Sequence, residues 1–415
     1  MSVAVFGTLF LAALAATTLL RLALALRQAA HVRRHRDAVP AEFSASIPLE
    51  AHRKAADYTV ARVRLGTVEL AVSALYVAAL TFGGLLQGIH DLWGAYLEPG
   101  GYTHGVAFIA TVAILGFAVG LPFALYRTFS IEQRFGFNKM TWRLYLIDLM
   151  KEAVLAAAIG IPVLLAVLWL MASMGELWWV YVWLFWLAFN LLVLLIYPTF
   201  IAPLFNKFSP LDDESLSKRI EALLARCGFR ASGLFVMDGS RRSSHGNAYF
   251  TGFGAAKRIV FFDTLLGSLK ADEIEAVLAH ELGHYKHRHI WKRIGLSAIG
   301  SLAFLWLLGQ LITEPWFFQG LGMSSQSTAA ALVLFALAIP VFTFPLAPLM
   351  SSLSRQHEFE ADAYAAKQTR AADLVSALVK LYRDNASTLT PDPLYSRFYD
   401  SHPPAAMRIA RLQSV

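Results

Sequence analysis

Seven stretches of this chain are each long and apolar enough to cross a lipid bilayer: Val3–Leu26, Leu65–Gly88, Gly105–Tyr126, Ala153–Ser173, Leu177–Ile201, Ile294–Thr313 and Thr328–Met350. A helix of about 20 mostly apolar residues matches the hydrocarbon core. Inside lipid every backbone N–H and C=O must be satisfied within the protein, which favours helices. Composition agrees, because charged residues make up only 16% of the 415, against about 25% in soluble domains. The first stretch lacks a basic lead and a small-residue cleavage site, so it reads as a retained helix. The sixth is the least regular, since it follows a charged helix directly.

Charge sets the expected orientation. The loop after the first span carries Arg27, Arg33, Arg34, Arg36, Arg53, Lys54, Arg62 and Arg64, and the loop after the third carries Arg127, Arg134, Lys139, Arg143 and Lys151. The intervening loops, 91–104, 174–176 and 314–327, hold no Lys or Arg. Positive loops stay in the cytoplasm. The N-terminus is therefore expected outside, and segment 205–293 and the C-terminus inside. The net charge of +7 fits such a face, and no nucleic-acid module accompanies it, so no nucleic-acid partner is expected. Arg21 and Glu69 fall inside expected spans, where ionised side chains are functional suspects. The plainer reading is that Arg21 snorkels to the cytoplasmic surface and Glu69 is structural.

The long insert has a different texture. Leu211–Cys227 alternates apolar and charged residues at helical spacing, and Leu234–Met237, Ala248–Gly252 and Lys257–Phe262 read as short strands. Asp272–His289 reads as a second helix, acidic at its start and basic at its end. The single cysteine, Cys227, is expected to be a buried, inert thiol in a helix, and it excludes a Cys-based zinc site.

The second helix contains Ala279-His280-Glu281-Leu282-Gly283-His284. Residues at i and i+4 share a helix face, so His280 and His284 can hold one ion. Glu281 is adjacent and is free to act as base toward water, and zinc suits imidazole and carboxylate ligands. Taken alone, the pattern reads equally as a structural helix with two stray histidines. Beyond the seventh span, Ser354–Asp362 supplies acids on another helix, where Glu358 and Asp362 share a face and Glu360 points elsewhere. Glu358 is the expected third ligand, and Asp362 the expected partner of a ligand histidine's free N–H. The competing reading is a solvated acidic face. His287 and His289, in the Lys/Arg-rich stretch Lys286–Arg293, read as interfacial, and His357 as pointing off the Glu358 face.

Together these residues resemble the type I CAAX prenyl proteases, seven-span integral membrane zinc metallopeptidases. The likeness covers most of the chain. Besides the His280–His284 motif and the Glu358/Asp362 pair, it rests on Glu132–Lys139, Tyr197–Lys207, His245–Gly252 and Ser401–Pro404 followed by Arg408. The resemblance implies a mainly α fold: a seven-transmembrane-helix barrel enclosing a chamber, with a small cytoplasmic α+β metalloprotease domain. It implies one Zn2+ per chain on His280, His284 and Glu358, with Glu281 and His402 catalytic and His402 supporting the oxyanion. Arg408 would orient the site. Asn247, Ala248 and Tyr249 would form an edge strand that pairs with substrate backbone. From the residues alone, His402 reads as a turn residue before Pro403, and His245 as a surface turn histidine.

The expected organisation is membrane spans one to five in 1–204, the metalloprotease insert in 205–293, spans six and seven in 294–350, and a C-terminal part bearing the third ligand in 351–415. The expected activity is zinc-dependent endopeptidase cleavage, like the prenyl endopeptidases that remove a C-terminal aaX tripeptide. The expected partners are a peptide or protein substrate, prenylated in that family, and the bilayer. The location is multi-pass: the inner membrane for a bacterial source, the endoplasmic reticulum for a eukaryotic one, with the site toward the cytoplasm. Two rivals remain, a quality-control protease for membrane proteins and a non-enzymatic zinc transporter. A transporter would place its ligands within spans near the midplane.

Overall fold

The apolar stretches fold as long helices in the computed structural model, which describes residues 1–251 and 258–414. Two residues at the ends of expected strands, Gly252 and Lys257, lie outside the described residues. Helices α1 (Val3–Arg34) and α2 (Leu49–Leu80) pack along each other, followed by the short α3 (Leu85–Gly94). Next come α4 (Tyr102–Tyr126), α5 (Trp142–Ser173), α6 (Trp178–Ile196) and the short α7 (Ala202–Phe205). Among the described residues, seven helical stretches have the length and apolarity to cross a membrane.

The second span differs from its expected bounds. Its apolar run continues to Gly88, but α2 starts sixteen residues before Leu65 and stops at Leu80. The chain turns at Gly84, which sits at φ +71, before α3 begins. This turn abuts Gly322 at φ +82, where an added Cβ would lie 2.0 Å from the Thr81 carbonyl oxygen, so only glycine fits. At 32 residues, α2 is about 48 Å long and overruns the bilayer core. Its basic first half therefore extends beyond the hydrocarbon.

The insert runs β1 (Phe208–Pro210), α8 (Glu214–Arg226), β2 (Gly233–Met237), β3 (Ala248–Thr251), β4 (Arg258–Phe262), α9 (Asp263–Ser268) and α10 (Ala271–Lys286). The sheet order is β1-β2-β4-β3, with β2 and β4 parallel and both outer pairs antiparallel. The β-branched and aromatic residues of β4 (Ile259, Val260, Phe261) are buried in the middle, which leaves β3 as an edge. Cys227 is the C-cap residue of α8 and is half-buried, with Sγ 3.7 Å from Gln368 Oε1. The buried helical thiol expected from sequence is corrected accordingly, because the apolar face of α8 ends one turn earlier at Leu224.

The chain then re-enters the membrane-type region through α11 (His289–Leu311), α12 (Pro315–Gly320) and α13 (Thr328–Thr343). It leaves on α14 (Ala347–Gln368) and closes with α15 (Ala371–Asp384), α16 (Pro393–Tyr399) and α17 (Ala405–Gln413). The long helices share their largest core at one end. There Phe10, Leu80, Leu86, Phe108, Phe317, Phe318 and Leu334 form a dense core. Toward the insert α1, α2 and the C-terminal helices line a cavity of 850 Å³. The molecule is thus a helical barrel enclosing a chamber, capped by a small α+β unit. A second core (Ile220, Leu223, Phe261, Ile274, Leu278 and Leu374) joins the sheet, α10 and α15.

Candidate active site

Two helices set the site. The first turn of α10 is closed by Glu273, whose Oε2 accepts from the Lys270 backbone N–H at 2.6 Å. The same carboxylate is buried against Lys380 and Ser376 of α15. Burial pushes its pKa up, but these donors outweigh that and hold it below the usual value. Three turns on, α10 crosses α14 at close range. A Cβ on Gly283 would lie 2.8 Å from Ala361 Cα, so the glycine between Leu282 and His284 is what lets the two backbones approach. That crossing brings His280 and His284 of α10 against Glu358 of α14.

The three side chains converge on one point. His280 Nε2 and His284 Nε2 are 3.2 Å apart. Glu358 Oε1 lies 3.3 Å from His284 Nε2, and Glu358 Oε2 lies 3.5 Å from His280 Nε2. Zinc bonds of 2.0–2.1 Å in a tetrahedron give ligand–ligand edges of about 3.3 Å. Two imidazole nitrogens this close also need something between them, because both lone pairs point inward. Glu358 Oε2 is buried with no aligned hydrogen-bond partner among the described residues. The donor set therefore fits a tetrahedral zinc ion. Burial opposes a charge on His280, yet the Asp362 and Glu358 carboxylates overcome this and push its pKa up to about 9, so the pocket favours positive charge.

Each histidine is held from behind. His280 Nδ1 lies 2.8 Å from Asp362 Oδ1. Asp362 in turn accepts from Arg408 Nη2 at 2.6 Å and Nε at 2.8 Å. All three groups are buried. His284 Nδ1 lies 3.0 Å from His289 Nδ1, and His289 Nε2 lies 2.8 Å from Glu360 Oε2. The interfacial reading of His289 is thus corrected: it is 2% exposed and stands directly behind a site histidine. The reason is a sharp turn. Arg288 adopts φ +56, so α11 starts at a new angle and folds His289 back under α10. His357 stacks on His289 with ring centroids 4.0 Å apart. The side chain of His287 stays on the outer side of α10, its ring stacked 5.6 Å from that of His289.

Glu281 is half-buried, and among the described residues its carboxylate has no hydrogen-bond or ion-pair partner. His402 precedes α17, with Nδ1 2.7 Å from Glu358 Oε2. Its side chain is 61% exposed and lines the chamber, so it stands where the chamber meets the three donors. Asn247, Ala248 and Tyr249 lie on or beside the edge strand, where Ala248 pairs Phe261 and Tyr249 pairs Val260. His245, just upstream, is no loose turn residue. Its Nδ1 is 3.2 Å from Asn385 Oδ1, its ring stacks on Phe137 at 4.5 Å, and its Nε2 is 3.5 Å from Glu132. Tyr58 donates to Glu132 from α2 at 2.5 Å. The edge strand is therefore anchored to the membrane helices. Glu132 itself ends a π-helical turn, Arg127–Glu132, that extends α4.

Residues 28–207 match a family described as CAAX prenyl protease N-terminal, five membrane helices, and residues 210–415 match peptidase family M48. The CAAX prenyl protease 1 homolog of Arabidopsis thaliana is 38% identical over 384 residues, 89% of each chain. The chain belongs to peptidase family M48. Similar relatives of this M48 peptidase include CAAX prenyl protease 1 of Saccharomyces cerevisiae, 39% identical over 75% of this chain and 72% of that one. The human CAAX prenyl protease 1 homolog is 34% identical over 80% of each. A crystal structure of S. mikatae Ste24p superposes with a TM-score of 0.90 at 32% identity, covering 98% of this chain and 99% of that one. The M48 peptidase is thus a multi-pass membrane zinc metalloendopeptidase that acts on peptide or protein substrates, and the likeness read from its motifs holds.

Proposed function

We propose that this M48 peptidase hydrolyses peptide bonds at one zinc ion held by His280, His284 and Glu358. The observation that carries this reading is the convergence of three ligand side chains: the His280 and His284 Nε2 atoms lie 3.2 Å apart, with Glu358 Oε1 3.3 Å from His284 and Glu358 Oε2 3.5 Å from His280. Zinc bound there supplies Lewis-acid polarisation of the scissile carbonyl and acidifies water to a pKa of about 7.

The chain's own residues do the rest. Glu281, with no partner of its own among the described residues, takes a proton from the attacking water and delivers it to the leaving amine. Water's oxygen bonds to the carbonyl carbon, the C–N bond breaks, and the products are a carboxylate and an amine. His402 donates to the oxyanion as it forms. Asp362 fixes the His280 tautomer by accepting its Nδ1–H, and Arg408 holds Asp362. On the other side His284 donates to His289, which donates to Glu360. Asn247 to Tyr249 offer an open strand edge on which an extended substrate adds as one more strand.

The substrate class is a prenylated peptide, as the relatives' names suggest for those proteins. The site faces the cytoplasm by the charge of its loops. The membrane is the inner membrane in a bacterial cell and the endoplasmic reticulum in a eukaryotic one. Purified protein offered a farnesylated peptide and its unprenylated twin tests this. Cleavage that stops with a chelator, returns with zinc and is lost in Glu281→Gln supports the peptidase reading. Cleavage indifferent to chelator sinks it. Equal rates for the two peptides leave the chemistry and remove the lipid preference, in favour of quality control.

A further inference from the structure

The chamber wall carries more cations than the site chemistry uses. Arg21, Arg62 and Arg127 line the same 850 Å³ cavity as His402. Arg127 is neutralised, with Nη2 2.6 Å from Glu69 Oε2. Among the described residues neither Arg21 nor Arg62 makes a close ion pair, although the exposed Arg62 interacts with the Tyr58 hydroxyl and, at longer range, with Glu132. Arg62 lies over the Tyr58 ring, 5.4 Å from its centroid. Arg21 lies over the Phe344 ring at 5.2 Å, and its Nε is buried with no hydrogen-bond partner. This corrects the plain reading of Arg21 and agrees with that of Glu69 as a structural residue. Arg21 turns into the chamber rather than snorkelling to the surface, and Glu69 serves to balance Arg127.

Asp400 is the other carboxyl on the wall. Burial pushes its pKa up, so it offsets the arginines less than a free carboxylate would. A guanidinium nitrogen buried without a partner, as Arg21 Nε is, is costly and calls for an anionic partner, and the exposed Arg62 adds a second positive charge to the same wall. Guanidinium matches the planar carboxylate fork by fork, and such charge-assisted bonds are strong. The anion must also come with a peptide, because the cavity opens on the His402 side of the donor triangle.

We propose that Arg21 and Arg62 form a carboxylate subsite in the chamber that binds the free C-terminus of the peptide substrate. It rests on the peptidase reading. A carboxylate there anchors the chain end while the bond beside His402 is cut, so cleavage falls a few residues from the terminus. An acidic side chain offers the same chemistry from a second source.

Binding and cutting are read separately, so that this proposal and the peptidase reading fail independently. Glu281→Gln protein is titrated with one dye-labelled, farnesylated peptide in three forms: free acid, C-terminal amide, and amide with a Glu placed third from the end. The free acid is expected to bind at least tenfold more tightly than the plain amide. Adding Arg21→Gln should collapse that ratio to near one, and Arg21→Lys should keep part of it. The ratio within each variant controls for misfolding. Equal affinity of acid and amide for the Arg21-containing protein overturns the subsite. A preference restored by the internal Glu overturns its assignment to the chain terminus. Absence of cleavage by the Glu281-containing protein counts against the peptidase reading alone.

Discussion

The two histidines of the donor triangle are supported in unlike ways. Behind His280 stands a buried carboxylate, Asp362, itself gripped by a buried arginine. Behind His284 stands a neutral imidazole, His289, and the carboxylate of Glu360 is one step further out and 32% exposed. In both arms the ring Nδ1–H is directed away from the donor triangle, which leaves each Nε2 lone pair inward. They differ in how directly negative charge reaches the ring. A carboxylate acceptor makes a stronger, charge-assisted bond than an imidazole does. The His280 arm should therefore hold the geometry, while the His284 arm is softer and lies nearer solvent.

Substitutions that keep the ligands and remove their supports put numbers on that contrast, read as zinc affinity by competition with a chromophoric chelator. Asp362→Ala should have the largest effect, about 100-fold weaker zinc. It should also cost about 3 kcal/mol of stability in a detergent melt, because it strips Arg408 of its main buried partner. His289→Phe keeps the volume and ring stacking but loses the relay, so about tenfold weaker zinc with little change in melting is expected. Should His289→Phe match Asp362→Ala, the claimed asymmetry is wrong. Glu360→Gln keeps an acceptor for His289 and should weaken zinc only about threefold, since exposed charge pairs contribute little. His245→Ala should leave zinc binding unchanged and raise KM several-fold, because it loosens the edge strand from Glu132 and Asn385. A drop in kcat with KM intact would contradict that placement.

The same contrast explains what could be read from the chain. The His280 arm was legible because its parts follow helical spacing: His280 and His284 one turn apart on α10, Glu358 and Asp362 one turn apart on α14. Glu358 as partner to both histidines needed only the thought that two imidazoles are an incomplete zinc site. His289 escaped notice because its position depends on one residue, Arg288, taking a left-handed conformation that no spacing rule reports. Asking what accepts the His284 Nδ1–H would have pointed to it. The seven spans followed from apolar length, yet their ends did not, since the break at Thr81 is set by contact with Gly322 far along the chain. Arg21 was visible as an intramembrane charge, but whether it faced lipid surface or chamber is a matter of how the helices pack. His245 looked like a turn residue because its partners, Glu132 and Asn385, are more than 100 positions away in sequence.

A single zinc ion shared by two helices can be located by anomalous diffraction at the zinc edge from the intact protein. One peak per chain is expected, within about 2.1 Å of His280 Nε2, His284 Nε2 and a Glu358 oxygen. A chain with no peak there, or with its zinc on other residues while Glu358 turns away, would contradict it.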